Sequence, residues 1–410
     1  MSVTFRVPGA VLTEREHTVP LVHGEPARGT ITVFTREVAV PDGLDRPYLV
    51  FLQGGPGMEA TRPTSPPSGW MARALADFRV LLLDQRGTGR STPVGRDLPG
   101  ATPAQQAEYL THFRADSIVR DLELIRAELD VDRWSLLGQS FGGFTSLTYL
   151  SIAPDGLRES LITGGLAPID NRPVDDVYAA TWIRVRQANE RYHARYPGDR
   201  ERLRSILERL DAEDVRLPNG DRLTARRFRQ LGMWLGDSAG FERLHHVLEL
   251  PFGSAAFLRD AQDASGWERN PIYANLHESS YADGGATRWS AHRLAPEDAV
   301  TGDLLVAEHV FPWMWEDYGG LRPHREVAEL LAQHPWPRLY DADRLAHNDV
   351  PVAATVYVDD VYVERAFAEE TARGVRGLRP WITNEYAHNG LRADGERVVG
   401  RLLDMVRGRA

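Results

Sequence analysis

No cysteine occurs among the 410 residues. Disulfides, thiolate nucleophiles and cysteine-based metal sites are therefore excluded. No apolar run approaches the roughly 18 residues that a membrane span requires. The opening Met1-Ser-Val-Thr-Phe-Arg lacks the basic start and apolar core of a signal peptide. The expectation is a soluble, cytoplasmic protein with no membrane partner. Basic charge is in deficit too: the net charge is −10, which speaks against nucleic acid as a main partner, because phosphate binding needs a basic face. Internal repeats and low-complexity tracts are missing. What is present, 42% hydrophobic and 26% charged residues, suits a globular protein with room for one large α/β domain carrying an insertion.

Residues 1–45 alternate polar and apolar, as in His17-Thr-Val-Pro-Leu-Val-His23 and Gly29-Thr-Ile-Thr-Val-Phe-Thr35, which predicts an antiparallel hairpin at a sheet edge. Continuous apolar strands are predicted at Arg46–Leu52, Phe78–Leu83, Trp134–Leu137 and Glu159–Gly165, with a helix over Ala115–Leu129 between the second and third. Strands alternating with helices imply a mostly parallel sheet flanked by helices. From about Ala167 to Leu345 the alternation stops, and the text is helical, charged and rich in tryptophan. Strands resume at Val350–Val358 and Pro380–Asn384. The expected organisation is one catalytic α/β domain (1–166 and 346–410) interrupted by a helical cap (167–345).

Gly138-Gln139-Ser140-Phe141-Gly142 closes the apolar run Trp134–Leu137. A strand, a tight turn and a helix beginning at glycines make the nucleophile elbow of the α/β hydrolases. The serine is thrust out on a strained turn, so residues two before and two after it need almost no side chain. Gly236-Asp237-Ser238-Ala239-Gly240 matches the same pattern, but the basic and apolar residues of Thr224–Leu235 before it predict an amphipathic helix, not a strand. Ser140 is therefore the nucleophile candidate. In this fold an acid and then a histidine follow the serine. Asp359 and Asp360 end the strand Val350–Val358, and His388 is the one histidine beyond them, among small residues suited to an exposed loop. His388 would serve as base, an aspartate would orient it, and the backbone N–H of Phe141 with that of Gly54 or Gly55 would form the oxyanion hole. Gln53-Gly54-Gly55-Pro56-Gly57 has glycines where a backbone must approach substrate. Asp84–Ser91 is predicted to be a structural turn held by Asp84 and Arg86, since it lacks the residue order of a phosphate loop.

Together, Gly54-Gly-Pro-Gly57, Asp84-Gln-Arg-Gly-Thr-Gly-Arg-Ser91, Phe113-Arg-Ala-Asp-Ser-Ile-Val-Arg-Asp121 and Gly138-Gln-Ser-Phe-Gly-Gly143 resemble the proline iminopeptidases. These are α/β-hydrolase serine peptidases that remove N-terminal proline. The resemblance covers both ends of the chain well and the middle weakly. It implies Ser140 as nucleophile and His388 as base. It favours Asp360 over Asp359 as the acid, from Asp360-Val-Tyr-Val-Glu364. It implies no metal and no cofactor, and a peptide with a free N-terminal proline as substrate. Two departures stand beside the chemistry: Gln53 replaces a histidine before Gly-Gly-Pro-Gly, and Glu364 replaces a proline after the acid. Cap carboxylates would bind the substrate amine, with Glu308 the first candidate and Glu278 or Glu316 the second. A same-fold esterase or amidase without an amine requirement is the competing reading, and a non-catalytic binding protein a more distant one.

Overall fold

The computed structural model describes residues 2–410. Strands β1 (Ser2–Val7), β2 (Ala10–Pro20), β3 (Thr30–Ala39), β4 (Tyr48–Leu52), β5 (Arg79–Asp84), β6 (Trp134–Gln139), β7 (Leu157–Thr163), β8 (Val352–Tyr357) and β9 (Leu378–Thr383) form one sheet in the order β1-β2-β3-β5-β4-β6-β7-β8-β9. The first three strands and the β3–β5 pair are antiparallel, and from β5 to β9 every pair is parallel. The hairpin expected over residues 1–45 is β2–β3, with β1 added outside it. Each residue of β4 is buried, as a strand covered on both faces requires. Leu49 and Phe51 enter one core with the C-terminal helix Gly395–Val406. Val50 and Leu52 enter another with the helices Ala115–Glu128 and Phe141–Ile152. Pro380, which cannot donate to a ladder, is tolerated because β9 is an edge strand.

Between β7 and β8 the chain adds no strand to the sheet. Helices there, among them Val174–Arg195 and Asp199–Ala212, share a second buried cluster built on Trp182, Leu203, Phe228 and Trp315. The helix read over Thr224–Leu235 is shorter than expected: Ala225–Arg229 is α-helical and Gln230–Gly236 tightens to 3₁₀. The Arg229 carbonyl, which would continue the α-helix, instead accepts from Val306 N–H at 2.9 Å.

Arg86 is the buried knot of the first half. Its guanidinium holds Asp121 (Nε to Oδ2, 2.7 Å) and donates to the carbonyls of Leu21 (3.0 Å) and His112 (2.6 Å). Neither charged side chain is more than 2% exposed. Removing one partner of such a pair strands the other charge, so Arg86→Ala is expected to lose about 3–5 kcal/mol of unfolding free energy, measurable by urea denaturation. Arg114, in the same sequence block as Asp121, reaches into the helical segment and donates to the carbonyls of Ser279 and Pro337, each at 3.0 Å.

Candidate active site

The sheet order reverses at β4: the chain moves from β4 outward to β5, then back across to β6. Ligand sites of open α/β sheets form at such a point, beyond the carboxyl ends of the strands. β4 and β6 pair in register up to Leu52 and Gly138, so the loops that follow leave side by side. Ser140 has φ 55° and ψ −122°, a conformation an L-residue holds only when its surroundings compel it. The Ser140 N–H donates to the Thr163 carbonyl (2.9 Å), and the Ser140 carbonyl accepts from Gly143 N–H (2.7 Å). Side chains are excluded on either side. A Cβ at Gly142 would fall 1.9 Å from the Leu52 carbonyl oxygen, and one at Gly138 2.4 Å from that of Gly142.

Gly54 lies against the serine, where an added Cβ would be 3.1 Å from Ser140 Cβ. Phe141 opens the helix Phe141–Ile152, and its N–H belongs to the first turn, which has no intrahelical acceptor. The Gln53 carbonyl accepts from Gln85 Nε2 at 2.9 Å, and the Asp84 carboxylate accepts from Ala60 N–H (3.2 Å) and Arg90 N–H (2.9 Å). Asp84–Ser91 thus braces the glycine loop.

Asp360, beyond β8, accepts through Oδ1 from the N–H groups of Tyr362 (2.9 Å) and Val363 (3.1 Å), and its Oδ2 lies 2.7 Å from His388 Nδ1. A carboxylate only accepts, so Nδ1 carries the proton and Nε2 is left as the acceptor. Asp359 points elsewhere, to Arg191 at 3.2 Å, with 49% of its side chain exposed. A Cβ at Gly164 would be 3.2 Å from His388 Cε1, and one at Gly165 2.3 Å from the Ser140 carbonyl oxygen. The imidazole and the elbow therefore flank the same turn after β7. His388 is not on an exposed loop, as its small neighbours suggested: it is buried, with the Tyr362 ring edge-on at 4.9 Å. Burial alone would lower its pKa; Asp360, and beyond it Glu308, outweigh burial and raise it.

Of the three carboxylates expected to bind an amine, Glu308 is the one that interacts electrostatically with His388 and Asp360. Glu308 is only 16% exposed at its side chain. Burial pushes its pKa to about 7, against the opposing effects of His388 and of the Tyr273 hydroxyl, which donates to it at 2.9 Å. Glu278 is buried too, but its carboxylate is spent on the N–H groups of Ser290 (3.3 Å) and Ala291 (2.9 Å), at the start of a short helix. Glu316 is a surface residue, paired with Arg226 (3.1 Å) and Arg325 (3.0 Å) and 43% exposed. Those two ion pairs, and not the His388–Asp360 centre, are where the structure places the Glu316 carboxylate.

Sequence reasoning missed the aromatic wall around Glu308. Tyr273 and His277 stack at 5.0 Å, and His277 meets Tyr281 edge-on at 6.3 Å. Their spacing of four residues, on a helix Pro271–Leu276 that runs on into the turn Glu278–Tyr281, was the available signal. His277 Nε2 lies 3.7 Å from Glu308 Oε1, and neither ring nitrogen has a hydrogen-bond partner. Burial drives the pKa of this imidazole to about 3, so it is neutral. The first glycine loop buttresses this helix, since a Cβ at Gly57 would strike Ile272 Cγ2 at 2.3 Å. The side chains that could gather a metal ion among the described residues are His245, His246 and Glu249, and they share no member with this centre.

A family model for the alpha/beta hydrolase fold matches residues 47–216, and the protein has that fold. An esterase from Thermogutta terrifontis is similar in structure, at 15% identity and TM-score 0.46 over 96% of this chain and 99% of that one. Over 406 residues the chain is 49% identical to a proline iminopeptidase from Aeromonas sobria, covering 95% of each. It is 34% identical to one from Aspergillus aculeatus, covering 97% of this chain and 94% of that one. The chain belongs to the proline iminopeptidase family. No helix is long and apolar enough to cross a membrane among the described residues.

Proposed function

We propose that this protein is a serine aminopeptidase that releases N-terminal proline from peptides, with Ser140, His388 and Asp360 as its triad and residues 167–345 as its cap. The observation that carries the peptidase reading is the largely buried Glu308 carboxylate, held by the Tyr273 hydroxyl at 2.9 Å and coupled electrostatically to His388 and Asp360. An esterase has no use for a negative group coupled to its base, whereas a substrate with a cationic amine two bonds from the scissile carbonyl needs one.

Neutral His388 removes the Ser140 proton as the hydroxyl attacks the prolyl carbonyl. The oxyanion meets the N–H of Phe141 and that of Gly54 or Gly55, donors each worth on the order of 10²–10³ in rate. On collapse the C–N bond breaks and the imidazolium protonates the departing amine. Water, deprotonated by the same imidazole, then hydrolyses the prolyl ester and frees proline. Asp360 holds the tautomer and stabilises the imidazolium.

Specificity follows from charge. Burying the three ring methylenes of proline gains only about 2.4 kcal/mol at ~0.8 each. Losing one partner of a buried charge pair costs roughly 2–5 kcal/mol. Protonated N-terminal proline is a secondary ammonium with two N–H bonds, against three on other residues. The Glu308 carboxylate is an acceptor for these N–H bonds, with the neutral His277 ring beside it at 3.7 Å. Release of free proline from a proline-initiated peptide, followed by amino-acid analysis, tests the proposal. Cleavage of p-nitrophenyl acetate with no proline released would assign an esterase instead.

The pH dependence has a definite sign. His388 acts as base only when neutral, and its pKa is raised above 6.5, so activity is lost as pH falls through that raised value. Glu308 holds a cation only when ionised, which requires pH above about 7. Both groups fail on acidification. The plot of log kcat/KM against pH is expected to approach a slope of 2 on its acid side, the free-enzyme groups being those it reports. A slope of 1 would remove one of the two from the mechanism.

A further inference from the structure

The second G-x-S-x-G sequence, Gly236–Gly240, has no part in the chemistry above, yet it lies on the catalytic histidine. The Gly236 carbonyl accepts from His388 N–H at 2.9 Å. Ser238 Oγ donates to Asn389 Oδ1 (2.7 Å) and accepts from Ala387 N–H (3.3 Å), while Ser238 N–H donates to the same Asn389 oxygen (3.1 Å). One stretch of the helical segment thus binds residues 387, 388 and 389 in succession. Gly236 itself is obligatory, because a Cβ there would sit 2.2 Å from Cζ of Tyr362. Tyr362 in turn packs edge-on against His388, and its hydroxyl donates to the Met233 carbonyl.

From these contacts we infer that Gly236–Ser238 is a clamp that positions the His388 loop, with Ser238 as a positioning residue. The base is correctly aimed only while this piece of the cap is seated on it. The physical need is plain. His388 follows an edge strand, in the loop before the short helix Gly390–Ala393, and its single bond to Asp360 fixes the ring at one nitrogen but not the backbone that carries it. An imidazole displaced by about 1 Å loses on the order of 10²-fold in rate. Four hydrogen bonds from a neighbouring segment remove that freedom. The inference rests on His388 being the base, but not on the identity of the substrate.

The test is therefore run with a fluorophosphonate, whose reaction rate reads the activation of Ser140 without any amine recognition, and in parallel with proline β-naphthylamide. Ser238→Ala is expected to keep its far-UV circular dichroism and to label about 10- to 100-fold more slowly. Its acid limb should move down toward pH 6.5, because a loosened ring feels Asp360 less. The groups facing His388 are Asp360, Glu308, Arg392, Tyr357 and Tyr362, and none is altered by this change. Ser238→Thr, which retains the hydroxyl, should recover most of the rate. Should Ser238→Ala fail to fold, Asn389→Ala removes the same bridge from the other side and is read identically. Wild-type labelling rate and pH profile in the folded variant would overturn the clamp, as would a reduced rate with an unmoved acid limb. Failure of the wild type itself on proline β-naphthylamide, with labelling intact, would refute the proline reading and leave the clamp standing.

Discussion

Ser140→Ala is expected to lower kcat on proline β-naphthylamide by on the order of 10⁴- to 10⁶-fold, the range found when a triad nucleophile is removed. The folded structure should survive. Alanine has the Cβ that the site already accommodates, and what holds the turn is backbone: the bonds to Thr163 and Gly143, and the close approach of Gly142 to Leu52. KM should change little, because the hydroxyl makes its decisive interaction only as the bond forms. Covalent labelling by a fluorophosphonate should vanish in Ser140→Ala and persist, more slowly, in Ser238→Ala. Labelling that persisted in Ser140→Ala and vanished in Ser238→Ala would exchange the roles of the two motifs.

Glu308→Gln is expected to reduce kcat/KM for proline β-naphthylamide by about 30- to 5,000-fold, the equivalent of roughly 2–5 kcal/mol for a stranded buried charge. The substitution keeps the shape of the side chain, and the Tyr273 hydroxyl can still donate to the amide oxygen, so the loss is one of charge and not of packing. Two further signatures separate this from general damage. The acid limb of the pH profile should drop from a slope of 2 to 1, since one titrating group has gone. Its midpoint should also fall, because Glu308 is among the groups that raise the His388 pKa. The already poor turnover of N-acetylproline β-naphthylamide should not worsen. A Glu308→Gln enzyme with unchanged kcat/KM would place amine recognition elsewhere.

The elbow that carries the proposed nucleophile and the glycine loop beside it could be read from the chain because each is fixed locally. A strand that must end in a turn too tight for side chains writes its own glycines, and Ser140, Gly54 and Gly55 follow. His388 was found by its order after β8 and β9. Its burial was not legible, since the residues that cover it, Met233 to Ser238, lie 150 positions earlier and meet it only in three dimensions. The same holds for Glu278 and Glu316. Each looks like Glu308 in sequence, and only tertiary partners reveal one as a helix cap and the other as a surface ion pair. Glu364, the departure from the family pattern, is likewise explained at a distance. It forms two 2.7 Å bonds to Arg184 on the helix Val174–Arg195 and caps its own helix through Ala366 N–H at 3.0 Å. Where a family proline would stiffen the chain after the acid, this protein uses an ion pair between the two segments.

The most direct measurement compares the purified wild-type enzyme on proline β-naphthylamide and on N-acetylproline β-naphthylamide under the same conditions. Acetylation removes the charge on the ring nitrogen together with both of its N–H donors. The expected result is hydrolysis of the free-amine substrate, with the acetylated one turned over at least 30-fold more slowly in kcat/KM, the lower bound set by about 2 kcal/mol for a lost charge partner. Equal turnover of the two would contradict an aminopeptidase built around Glu308.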